Sequence, residues 1–192
     1  MKNRNGEADT LKAAKTPQSK AGSSTTVRMI TQTALLFAMT VVLMVVESLI
    51  PPIPSMPPGI KLGLSNIVVM YCLFYMGKKS AFTILALKSL FVFLTRGATA
   101  FFMSFCGGLC SIFVMILLLA LKKRSVSYII ISVCAATAHN LAQLAVSSVL
   151  LASSMVFYYG PVLIISGVVM GLITGTVLKV MMPAMKRLKG MP

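Results

Sequence analysis

From Arg28 to Met182 the chain passes from one apolar run to the next, and nearly all its positive charge falls in gaps that would face one side of a membrane. Such a chain folds with lipid as its solvent. Hydrophobic residues make up 57% of it, its mean hydropathy is +0.92, and three acids stand against eighteen Lys plus Arg. A soluble domain of 192 residues could not cover so much apolar surface.

A helix needs roughly 20 residues to cross the hydrocarbon. The runs are Met29–Ile50, Leu62–Met76, Ser80–Leu94, Phe101–Leu121, Val126–Ala152 and Pro161–Met182, which predicts an all-α integral membrane protein of six transmembrane helices. The second and third runs, at about 22 Å each from ~1.5 Å per residue, are short spans or reach only part of the way. All basic residues except Lys61, Lys88 and Arg96 lie before the first run, around Lys78–Lys79, at Lys122–Arg124, or from Lys179 onward. By the positive-inside rule both termini are then cytoplasmic. The expected organisation is a disordered basic tail over 1–27, a six-helix domain over 28–184 and a short basic tail over 185–192. The first tail is polar, without an apolar stretch, and suited to brushing anionic lipid.

Several functions are disfavoured. The positive charges flank spans rather than gathering on one face among aromatics, which argues against nucleic acid. Cys72, Cys106, Cys110 and Cys134 fall inside runs and read as small packing residues. With one histidine, His139, and only Glu7, Asp9 and Glu47 as acids, no metal site or other cofactor is expected. There is no G-x-x-x-x-G-K-[ST] stretch, so nucleotide hydrolysis by a P-loop is excluded.

Small residues mark helix contacts. Gly167, Gly171 and Gly175 recur every four residues in the last run, as do Ala135, Ala138, Ala142 and Ala145 at similar spacing in the fifth, which lets backbones approach closely. Gly107–Gly108 serves either the same end or the approach of a ligand to the backbone. In the first run Ala34 and Ala38 form an A-x-x-x-A pair, and Glu47, nine residues beyond Ala38 at about 100° per residue, points the opposite way. Either the alanines pack inward and Glu47 outward, or the alanines face another protein and Glu47 faces the interior. The cost of a carboxylate facing lipid favours the second.

Polar residues inside the runs carry the functional signal. Glu47, Asn66, Lys88, Arg96, His139, Asn140 and Gln143 come from four helices and share the outer half of the predicted bundle. Such groups are expensive in lipid unless they face a cavity or each other, so they predict one water-accessible pocket; interhelical hydrogen bonds are the alternative. His139 and Gln143 form an i, i+4 pair, either bonded to each other or contacting a ligand. Lys88 and Arg96 against the single Glu47 predict a solute that is anionic or bears a carboxylate or phosphate. The proline-rich segment 51–59 is a stiff outer connector or a lid.

The stretches L-G-L-S-N-I at Leu62–Ile67, S-F-C-G-G-L-C-S at Ser104–Ser111, A-H-N-L-A-Q at Ala138–Gln143 and the glycine-rich Gly160–Gly175 resemble the Gx transporter family, also called heptaprenyl diphosphate synthase component I. The likeness covers about Arg28 to Leu178. That family is similar in size, six-helix layout and first-helix A-x-x-x-A to the S components of energy-coupling factor (ECF) transporters. The resemblance implies an S-component-like bundle in a bacterial inner membrane that binds a small solute. It further implies that Ala34 and Ala38 dock a transmembrane T subunit and that two cytoplasmic ATPases supply energy. The other family name implies a role in isoprenoid diphosphate synthesis, where catalytic subunits hold Mg²⁺ through aspartate-rich motifs. The single aspartate, Asp9, rules out the catalytic part and leaves only that of a membrane partner.

Overall fold

A computed structural model describes residues 19–49, 63–121 and 127–189. Among them are six α-helices and one 3-10 helix, with no strand: α1 Ser19–Leu49, α2 Asn66–Tyr75, α3 Lys78–Arg96, α4 Ala98–Ala120, α5 Tyr128–Leu150, the 3-10 helix Ser154–Tyr159, and α6 Gly160–Lys189. Four stretches are long and apolar enough to cross a membrane: Thr26–Leu49, Ala98–Ala120, Tyr128–Leu150 and Ser154–Val180. The chain divides into two units, Met1–Leu35 and Leu36–Pro192, so that α1 runs through the boundary. The packed core and the candidate site both belong to the second unit.

Glycines punctuate the sequence where the helices turn. Gly77 and Gly97 take φ of +96° and +85° on either side of α3, conformations that side chains with a Cβ adopt reluctantly. They let α3 extend over 19 residues, beyond both ends of the expected third run. Helix α2 is the opposite case. It has only 10 residues, about 15 Å at ~1.5 Å per residue, and starts at Asn66 rather than Leu62. Alone it falls short of a bilayer. Helix α1 starts at Ser19, inside the segment expected to be a disordered tail. Ser127 caps α5 by accepting the Ile129 N–H, and Pro161 sits in the first turn of α6, where no amide donor is needed.

The close approach predicted for the last two long helices is present. A Cβ on Gly167 would lie 2.9 Å from Thr137 Cα and one on Gly175 2.8 Å from Ile129 Cα, while one on Gly171 would run into the backbone of Val133. The α6 glycines therefore lie directly on the α5 backbone. The hydroxyls of Ser132 and Thr174 hydrogen-bond across the same seam. The fully buried Val69, Cys72, Ile84, Leu85, Ile112, Met115 and Ile131 build an apolar core shared by α2, α3, α4 and α5. A smaller cluster of Met103, Leu144, Val156 and Leu163 sits beneath the 3-10 helix.

Candidate functional site

The end of α1 faces inward through Thr40, Met44 and Glu47, three or four residues apart, while Val42, Val45, Val46 and Leu49 are exposed. Ala34 and Ala38 are exposed as well. Of the two arrangements open in the sequence, the protein adopts the one with Ala38 outward and Glu47 inward.

Glu47 Oε1 accepts the backbone N–H of Gly63 at 2.5 Å. Gly63, at φ +86°, then accepts the Asn66 N–H with its own carbonyl at 2.8 Å, which sets the first turn of α2. One carboxylate thus satisfies a backbone donor that would otherwise be orphaned just before a helix.

Glu47, Lys88, Arg96, His139 and Gln143 line one cavity of about 210 Å³. Helices α1, α3 and α5 supply them, and α4 adds Met103 and Ser104. Helix α3 contributes a single face, with Lys88, Val92, Thr95 and Arg96 at helical spacing. Lys88 is only 4% exposed, whereas Arg96 lies at the exposed rim. Among the described residues Lys88 makes no hydrogen bond and no direct ion pair, although Glu47 on the same cavity attracts it. The remaining wall is largely apolar, from Met44, Phe91, Val92 and Met103. An ammonium group in such surroundings is costly unless a counter-charge reaches it.

His139 stands at the back of this cavity. Its Nε2 is 3.1 Å from Gln143 Nε2, so the i, i+4 pair seen in the sequence is a direct hydrogen bond. A Cβ on Gly107 would sit 2.9 Å from His139 Cε1 and 3.0 Å from Gln143 Cγ, and one on Gly108 would meet the Leu85 side chain. The double glycine therefore makes room for packed side chains, those of His139 and Gln143 among them. His139 also meets the Gly107 backbone, while Gln143 Oε1 is buried without a hydrogen-bond partner among the described residues.

Asn66 and Asn140 do not line the main cavity. With His139 and Gly63 they border a second, much smaller one of about 10 Å³, close to the volume of a single water probe. Asn66 Nδ2 donates to Ser111 Oγ at 2.9 Å, and Asn140 Nδ2 donates to the Leu163 carbonyl at 3.0 Å. Both act as interhelical ties behind His139. The proline-rich segment 51–59, Lys61 and Lys122–Arg124 lie outside the described residues. Sequence reasoning missed Gly63, Ser65, Met103 and Ser104 as lining residues; only the glycine beside a proline-rich loop offered a signal. Among the described residues no three His, Cys, Asp or Glu side chains come together to hold a metal.

Described residues that are helical throughout, four membrane-length apolar helices, and a mostly apolar cavity that holds a few charged side chains define a helical membrane protein with an internal site. The family model described as heptaprenyl diphosphate synthase component I matches residues 36–181, and the chain belongs to that family, the Gx transporter family of the sequence resemblance. The match spans every residue of the cavity. Neither a curated protein nor a solved structure matches the chain.

Proposed function

We propose that this chain is the membrane-embedded, substrate-binding subunit of an ATP-driven, ECF-type uptake transporter for a small anionic solute. The single observation that carries the reading is Lys88, a buried cation without a direct partner on the wall of a cavity whose lining ends at the exposed Arg96. A solute acid group would supply the direct counter-charge that Glu47, attracting Lys88 without touching it, does not, and burial of that contact makes it worth more than a surface one. In this reading Glu47, Lys88, Arg96, His139 and Gln143 contact the solute, while Asn66 and Asn140 hold the wall in place. The protein acts without catalytic residues or cofactor of its own.

The same proposal includes six membrane crossings, with α2 and α3 completing the bundle, both termini in the cytoplasm of a bacterium, and the cavity mouth outside. Basic flanks at Lys78, Lys79 and Lys179 support that orientation. Outward-facing Ala34 and Ala38 would meet the T subunit, which couples to the ATPases. Uptake of the co-purifying solute into proteoliposomes should require the T subunit, both ATPases and internal ATP. Equal uptake by this chain alone would contradict the coupling.

The family description favours a second reading, a non-catalytic membrane component associated with heptaprenyl diphosphate synthase. Co-purification with a soluble prenyl synthase, and a change in its product length on reconstitution, would support it instead.

A further inference from the structure

Two buried charges of opposite sign line one cavity without meeting. Lys88 is 4% exposed and Glu47 6%, and the two form no ion pair. A purely structural account of Glu47 explains the backbone amides it meets, Gly63 on Oε1 and Leu64 beside it. It leaves the rest of the carboxylate, which offers about four acceptor positions in all. It says nothing of Lys88, which is attracted by Glu47 but has no direct hydrogen-bond or ion-pair partner among the described residues. Met44, Phe91, Val92 and Met103, which make up much of the wall between, provide neither charge.

We infer that the solute is amphoteric, with an acid group that meets Lys88 and a protonated nitrogen that meets Glu47. This rests on the reading of the cavity as a solute site. A plain acid would satisfy Lys88 and leave Glu47 facing a second anion in apolar surroundings, whereas an amphoteric solute gives each buried charge its counterpart. With Lys88, Arg96 and Glu47 all ionised the lining carries one net positive charge, so the matching solute has one acid group more than it has basic groups. An amino acid with a second acid group is the simplest class of that kind. Size agrees: about 210 Å³ is below the ~300–1,000 Å³ of sites for larger ligands.

The test uses the purified full chain in lipid nanodiscs, offered an equimolar mixture of amino dicarboxylates and aminoalkyl phosphates with their deaminated and their decarboxylated or dephosphorylated counterparts. Retained molecules are counted by mass spectrometry. The wild type should retain an amphoteric compound over its deaminated counterpart by about tenfold, the scale of one charge-assisted contact. Glu47→Gln keeps an acceptor for Gly63 and removes the charge, so it should bring that ratio close to one. Lys88→Met should lose both compounds while its elution as a folded monodisperse species is unchanged. If the wild type retains deaminated acids equally well, and Lys88→Met abolishes this, the amphoteric inference fails and the acid-binding cavity stands. If no retention depends on Lys88, both fail.

Discussion

Glu47, near the end of α1, holds the backbone amide of Gly63 at 2.5 Å, and Gly63 adopts a left-handed φ of +86° to present it. Through this contact a residue on the cavity wall also sets where α2 begins.

The pair predicts an order of stabilities. Glu47→Gln retains an acceptor and should unfold close to the wild type, whereas Glu47→Ala leaves a buried donor unpaired and should lose about 1–3 kcal/mol. Gly63→Ala places a Cβ 3.7 Å from His139 Cδ2, which is tolerable, but at a backbone conformation that costs ~1–2 kcal/mol. Thermal unfolding in one detergent ranks the three variants. Equal stability of the Glu47→Ala and Glu47→Gln proteins would remove the structural part of the Glu47 account.

The α5–α6 seam predicts a contrast between glycines. Gly171→Ala drives a methyl group into the Val133 backbone, which cannot yield, and should destabilise by about 1–3 kcal/mol. Gly108→Ala meets only the flexible end of Leu85 and should cost less. The reverse ranking in the same unfolding assay would mean that α5 and α6 do not pack as described.

Much of the site was legible because lipid makes polar residues conspicuous. Glu47, Lys88, His139 and Gln143 interrupt apolar runs and Arg96 lies just beyond one, and helical spacing alone places Lys88 and Arg96 on the same side of α3. Asn66 and Asn140 carry the same signal, yet their partners, Ser111 Oγ and the Leu163 carbonyl, lie 45 and 23 residues away in sequence. No local pattern distinguishes such a tie from a ligand contact. The start of α2 departs from the expected one for a related reason: the apolar run begins at Leu62, but Gly63 turns away to reach Glu47. Ends marked by Gly77 and Gly97 were recoverable from glycine itself.

Exposure of Ala34 and Ala38 bears on partner docking. Replacing both with Leu should abolish co-purification with a T-type subunit and leave solute affinity unchanged. A complex that survives the double change would remove these alanines from the interface.

Orientation is open to thiol labelling in a variant lacking the four native cysteines. Thr99→Cys, beyond the Arg96 end of α3, should react with an impermeant reagent in intact cells, whereas Lys79→Cys at the other end should react only after permeabilisation. Labelling of position 79 in intact cells would invert the topology and turn the cavity mouth to the cytoplasm.

The most direct measurement is the affinity of purified wild-type and Lys88→Met proteins for the solute that co-purifies with the chain, once mass spectrometry has identified it. A charge-assisted contact is worth about 1.5–3 kcal/mol, and ~1.4 kcal/mol is a decade in Kd. Calorimetry should therefore show at least a tenfold weaker Kd for Lys88→Met and a smaller loss for Gln143→Leu. Unchanged affinity per folded molecule, with only thermal stability lowered in both variants, would contradict the account and leave the buried polar residues as structural ties alone.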